Sequence, residues 1–381
     1  MKQLSLAVIA LLTSCTYAPT PPRKPPAPRP PVLTEVARFE GDVMTGVAVS
    51  QRGRVFVSFP NWHAGHRVHV AEVDPLTGEH RPYPDEAWNS WTTDQPVRSG
   101  MGPDQFICVQ ALRVDDHDRL WVLDAAAPGM MGIAPNARPK LVRFDLESNR
   151  EDRSFFFDSV AAPPGAYLND VRFDTDADRA YITDSSLGGL VVLDTATGVY
   201  RRTLTGHPST MADPSIVLMC DGKELRFAVG PNAGKVPQVH SNGLALDTKH
   251  GYLYWQPMTS RTLYRIPTSL IGDLDATDEQ IASGVQTVGL NVATDGMEID
   301  SRGNLYFSDF EHNAVVVRTT GGSVKTLVAD PRLAWPTSFA VGPGGTMYVT
   351  ASQIQRTAWF RADGSMPTTP YVLFKLNQYG R

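Results

Sequence analysis

Along most of the chain apolar and polar residues alternate with a period of two, the pattern of a strand with one buried face, and one version of it recurs six times. Each copy has a polar residue, an alternating apolar strand, a turn rich in Asp and Gly, and a second strand of β-branched or aromatic residues. The copies are Thr45–Phe59, Gln110–Asp124, Asn169–Asp184, Asn242–Gln256, Asp295–Asp309 and Thr337–Ala351. Asp, Gly or Asn stands where the backbone must reverse, so each copy reads as a β-hairpin.

Successive copies start 65, 59, 73, 53 and 42 residues apart, which leaves room after each hairpin for two further strands. Lys140–Leu146, Gly189–Gly198, Arg261–Thr268 and Ala314–Gly322 are candidates for them. Four strands per unit, six units and no sustained helical period predict an all-β fold, a six-bladed β-propeller with four strands per blade, over residues 33–381. A two-sheet sandwich gives no reason for six similar hairpins. The longest gap, between Asn169 and Asn242, carries Gly206–Val239. Long insertions in such arrays gather on one rim, and two roles stay open for this one: a cover on the channel mouth, or an outer decoration.

Equivalent positions in a propeller sit at equivalent heights around its axis. The residues that open the copies, Thr45, Gln110, Asn169, Asn242, Asp295 and Thr337, are all polar and precede apolar alternation, so they are predicted to point into the central channel. Hydroxyls, amides and one carboxylate in a ring suit a small polar ligand. The plainer alternative is a water-filled channel lined by polar groups that satisfy one another. Asn169, Asn242 and Asp295 also offer the oxygen atoms that Ca²⁺ or Mg²⁺ prefers, with a single carboxylate among them. A binding protein needs no catalytic base; in an enzyme, a metal-assisted lactonase or a tautomerase, Asp295 is the candidate base.

The N-terminus follows different rules. Lys2 followed by the apolar run Leu4–Leu12 reads as an export signal over residues 1–14, too short to span a bilayer. It ends in Leu12, Thr13, Ser14 and Cys15, which looks like a bacterial lipobox with Cys15 as the lipidated residue; a plain signal peptide with a chance Cys is the alternative. Residues 15–32 then form a proline-rich stretch with Arg23, Lys24 and Arg29, read as a stiff polyproline tether in preference to an SH3-type ligand. The expected location is the periplasm or cell surface, at a bacterial membrane reached only through the lipid. Cys108 and Cys220 are the remaining cysteines; in an oxidising compartment they can pair, or stay as single buried thiols.

Charge narrows the partners. With 35 basic and 40 acidic residues the net charge is -5, and the only basic cluster is the short one in the tether, so no nucleic acid is expected. A monomer with a small-molecule ligand is the expectation. Asp174, Asp176 and Asp178 imitate the start of an EF-hand loop, but Arg179 replaces the required Gly and Ser185 the bidentate Glu. Gly230–Val236 lacks the spacing and the hydroxyl of a phosphate loop. Asn61, Trp62, His63, His66 and His240 are candidate ligand contacts, although nine His residues in a chain of this length are more often surface or satisfied core groups.

At these same segments the chain resembles the Yellow / major royal jelly protein family, bacterial members included. The matching text is Thr45–Trp62, Arg113–Ala126, Leu187–Asp194, Leu253–Thr268 and Asp295–Asp309, with Trp335–Phe339 adding specificity. The resemblance runs from about Val32 to Arg356 and implies a six-bladed propeller, secretion and, in some members, binding of aromatic amines or isomerisation of dopachrome-like compounds. The chain is more distantly similar to regucalcin / gluconolactonase propellers, whose metal motifs match Asn169-Asp170, Ser241-Asn242-Gly243 and Asp295-Gly296-Met297. Thr45 stands where those enzymes place a metal-binding Glu, so the resemblance leaves the cation without that ligand.

Overall fold

The computed structural model describes residues 32–377 apart from 96, 98–103, 131 and 368. The proposed signal, Cys15 and the prolines of the tether lie outside the described residues.

Each predicted hairpin forms, and each is the inner pair of a four-stranded antiparallel sheet. The first blade is Gly46–Val49, Val55–Ser58, Val70–Val73 and His80–Pro82, and the second is Val109–Val114, Arg119–Asp124, Lys140–Asp145 and Arg150–Phe156. Blades three to five repeat the plan from Leu168–Asp174, Ser241–Asp247 and Met297–Ile299 outward. The sixth blade mixes the ends of the chain. Pro336–Val341, Met347–Ala351 and Tyr371–Leu376 are followed by Leu33–Phe39, which pairs antiparallel with Tyr371–Leu376 and closes the circle. Each inner strand also packs against the inner strands of both neighbouring blades, so the ring is continuous. Among the described residues no helix is long and apolar enough to cross a membrane.

Alternating side chains produce this packing. In Arg119–Asp124, Leu120, Trp121, Val122 and Leu123 are all buried because one face meets the first blade and the other the third. Trp121 stacks on Phe173 of the next blade at 4.5 Å, and its indole N–H donates to Asp115 Oδ2 at 2.7 Å. Burying aromatic side chains of this size contributes roughly 1.5–3 kcal/mol each.

Two repeated features fix the inner strands. A carboxylate closes the second strand of several blades and takes backbone N–H groups that would otherwise be buried without partners. Asp124 accepts from Ile107, Cys108 and Ala126, and Asp184 from Tyr167, Ser186 and Leu187. Glycine follows the first polar residue in three copies, where neighbouring strands crowd together. A Cβ on Gly296 would lie 1.8 Å from the carbonyl oxygen of Thr337, and one on Gly243 would lie 2.9 Å from that of Asp295.

Residues 204–240, the long insertion, lie on the same face of the disc as the starts of the inner strands. Leu218, Cys220 and Leu225 pack against Met258, Phe310 and Trp335, and Phe227 stacks on Phe360 at 5.3 Å. Cys220 and Cys108 sit in different packing clusters, and both are free, buried thiols rather than a disulfide.

Asp124 also faces the buried Lys140 ammonium at 3.4 Å. Asp124→Ala is expected to destabilise the protein by about 3–5 kcal/mol, since it strands a buried cation together with the three N–H groups; denaturant unfolding against the wild type measures it.

Candidate functional site

All six predicted residues meet in one space. Thr45, Gln110, Asn169, Asn242, Asp295 and Thr337 line a cavity of about 30 Å³ on the axis, room for about two water molecules at roughly 10–15 Å³ each. Asn169 is half-buried and the other five are buried.

The ring is tied by its own hydrogen bonds. Thr45 Oγ1 donates to the Gln110 carbonyl at 3.1 Å, Gln110 Nε2 to Asn169 Oδ1 at 3.0 Å, and Asn169 Nδ2 to Asn242 Oδ1. Asn242 Nδ2 donates to Asp295 Oδ1 at 2.7 Å, and Trp335 Nε1 to Asp295 Oδ2 at 2.7 Å. Thr337 Oγ1 points back to the Trp335 carbonyl and to Ser352. On one side, then, the network ends at a carboxylate. On the other it continues upward, because Tyr167 donates its hydroxyl to Gln110 Oε1 at 2.8 Å and accepts the Trp62 indole N–H at 2.9 Å.

Asp295 is the unusual member. It is buried and both oxygens accept hydrogen bonds from neutral groups, while among the described residues no Lys, Arg or His forms an ion pair with it. Burial pushes its carboxyl up to about 6, against the hydrogen bonds from Trp335 and Asn242, and the charge of Asp170 adds to the rise. Asp170 has its own counter-ion, Arg172, at 2.5 Å.

Arg172 also donates to the Met297 carbonyl and lines the floor of the ring. Beneath it a wider space of about 260 Å³ opens to the opposite face, lined by Arg113, Asp115, Asp116, Arg172 and Glu298 among others. Arg113 pairs with Glu298 at 2.7 Å, so the charges on that side are already matched.

The three residues predicted to hold a cation are neighbours, but their arrangement does not fit Ca²⁺ or Mg²⁺. Such a cation takes about six or more oxygen ligands, whereas Asp295 is the one carboxylate here and the two Asn amides are spent on each other and on Asp295. The first blade contributes the Thr45 hydroxyl, already committed to Gln110.

Tyr167, Trp335 and Trp62 belong to the site and were not among the six ring candidates. Tyr167 and Trp335 each stand two residues before a ring position, and so does Cys108, whose thiol lies 3.8 Å from the Tyr167 hydroxyl. Extending the period-two repeat one step backward is the signal that finds them. Trp62 comes from the connection after Val55–Ser58 and packs on Trp359 at 5.1 Å. His240 accepts the Ala212 N–H and so ties down the insertion, and it is not among the hydrogen-bond partners of the ring.

Comparison with known proteins adds the following. Residues 107–366 match the family model described as Major royal jelly protein. Over 248 residues, 62% of this chain and 50% of the relative, the sequence is 25% identical to Major royal jelly protein 7 of Apis mellifera. It is 26% identical over 304 residues to Protein yellow of Drosophila yakuba, covering 74% of this chain and 53% of that one. The chain thus spans about half the length of these insect relatives. Among solved structures, a luciferin-regenerating enzyme superposes with a TM-score of 0.54 at 12% identity, covering 92% of this chain and 96% of its own. A gluconolactonase from Xanthomonas campestris gives 0.50 at 14% identity, with 95% and 99% covered. Identities this low establish a shared propeller fold.

Trp335→Phe removes one charged hydrogen bond from Asp295, worth about 1.5–3 kcal/mol when the carboxyl is ionised. The loss of stability is expected to be larger at about pH 8, above the raised pKa of Asp295, than at about pH 5, where the group is protonated. Chemical denaturation of both proteins at the two pH values tests it.

Proposed function

The chain belongs to the major royal jelly protein family, and from that premise we propose that it is an exported, lipid-anchored binding propeller whose ring takes the ammonium group of a small aromatic amine. The observation that carries this reading is the lone buried carboxylate of Asp295, held by neutral donors only. A buried charge is costly without an opposite one, and an arriving ammonium supplies it. The ring cavity has the size of an ammonium head and excludes an aromatic ring. The aromatic body would lie above it beside Trp62, Tyr167 and Trp335, whose rings favour cations and aromatic groups. Lys2, the apolar run Leu4–Leu12 and Cys15 support export and anchoring at the periplasm or cell surface.

A proton-transferring isomerase of the dopachrome-converting kind is the second reading. What favours it is the same raised Asp295 carboxyl, since a base titrating near 6 is suited to work at neutral pH. Lactone hydrolysis finds less support, because the ring donors do not fit the metal it needs.

The test is a panel of aromatic amines followed by tryptophan fluorescence. Affinity is expected to rise between about pH 5 and about pH 8, because Asp295 offers a negative charge only above its pKa of about 6. Asp295→Asn is expected to weaken binding at least about tenfold and to flatten the pH dependence. Equal binding by the variant removes Asp295 as the counter-ion. Turnover of a catechol-derived substrate that vanishes in Asp295→Asn moves the assignment to the isomerase.

A further inference from the structure

We propose that Asp42, His63 and His66 form a binding site for zinc, or a divalent metal of similar ligand preference, at the rim of the channel mouth and separate from the ring. The three residues come from two connections. Asp42 lies between the closing strand Leu33–Phe39 and Thr45 of the ring, and His63 and His66 lie between Val55–Ser58 and Val70–Val73. Gly65, with φ of 88°, turns the chain back between the two histidines, a conformation that glycine adopts without strain.

The donor atoms converge. His63 Nε2 lies 3.1 Å and His66 Nδ1 lies 3.0 Å from the same Asp42 oxygen, and one atom from each of the three residues falls within 4.8 Å of the others. Ligands about 2.0–2.1 Å from a tetrahedral zinc stand about 3.3 Å apart, so a small contraction or expansion of this triangle accommodates the ion. Two imidazoles and one carboxylate are a donor set that suits zinc and disfavours calcium or magnesium. Three protein ligands leave the fourth position to water. His63 and Asp42 are partly exposed, at 18% and 14% for their side chains, which gives the ion a way in.

Two further observations show how the donor atoms are held. His63 Nε2 is buried and lies 3.1 Å from the Asp42 oxygen without the alignment of a well-formed hydrogen bond. The second concerns proton placement around His66. Its Nε2 is 3.2 Å from His69 Nδ1, and His69 Nε2 is 3.4 Å from the Trp91 carbonyl oxygen. A carbonyl only accepts, so His69 carries its proton on Nε2. His69 is fully buried and touches no carboxylate, so it is neutral and its Nδ1 accepts from His66 Nε2. The remaining nitrogen of His66, Nδ1, faces the Asp42 oxygen at 3.0 Å, a gap that a proton or, after slight expansion, a metal ion can occupy. A metal-bound histidine whose other N–H is held by a buried acceptor is the usual outer-sphere support of such sites.

The consequence is mechanical. Thr45 of the ring follows Asp42 closely, and Trp62, which reaches Tyr167 above the ring, directly precedes His63. The ion would staple the two connections and hold Trp62 in place.

The experiment is zinc binding to the full chain by calorimetry, with metal content after dialysis and the visible spectrum of the cobalt-substituted protein. The expected result is about one zinc per chain, a tetrahedral cobalt spectrum, and a rise in melting temperature with zinc. His63→Ala and Asp42→Asn are each expected to weaken zinc on the order of 100-fold while the metal-free proteins melt like the wild type. His312→Ala, which alters an exposed histidine paired with Asp309 elsewhere, is expected to leave binding unchanged. No stoichiometric zinc, or zinc retained by both His63→Ala and Asp42→Asn, overturns the proposal.

Discussion

The pairing of Leu33–Phe39 with Tyr371–Leu376 is the contact on which everything else depends. A propeller is an open fan until its last blade is completed by the other end of the chain. Here all six matched positions on Leu33–Phe39 pair a residue that follows the N-terminal segment with one more than 330 positions later, as Ala37 with Leu373 shows. Closure holds the six inner strands at equal height. Only then do Thr45, Gln110, Asn169, Asn242, Asp295 and Thr337, drawn from all six blades, come within hydrogen-bonding reach of one another.

Closure also explains the tension in the ring. Inner strands crowd toward the axis, which is why Gly243 and Gly296 follow ring residues and why no side chain fits there. The same crowding buries Asp295 beside a cavity of only about 30 Å³. Five of the ring residues are neutral amides or hydroxyls that can satisfy one another; a carboxylate cannot be satisfied in that way without retaining its charge in a buried space. Its carboxyl accordingly rises to about 6. Stability that the raised group contributes is greatest while it is protonated and declines as pH rises from its unfolded value through about 6, and a bound cation reverses that decline.

Much of this was legible in the chain because a propeller writes its architecture as a repeat. The six hairpins, the four-stranded blades and the opening polar residue of each copy follow from period-two alternation and turn chemistry, and the outer strands predicted at Lys140, Gly189, Arg261 and Ala314 are where the third strands lie. The rest depends on long-range geometry. Nothing near Asp295 in sequence reveals that Trp335 and Asn242 hold it and that no cation does. The insertion packs through Leu218 and Leu225 on Phe310 and Trp335, remote positions that no local pattern connects. His63 and His66 were visible as a spacing, but Asp42, which gives that spacing a chemistry, is brought to them only by the fold.

The central claim is that Asp295 is a buried carboxylate lacking a counter-charge until ligand arrives. Its titration by carbon-13 NMR of the side-chain carboxyl, assigned through Asp295→Asn, tests this most directly. The account predicts a midpoint of about 6 in the free protein, moving down toward or below the ordinary carboxylate value of about 3.9 when an aromatic amine saturates the site. A midpoint already at the ordinary value in the free protein, or a raised one that does not move on saturation, would contradict it.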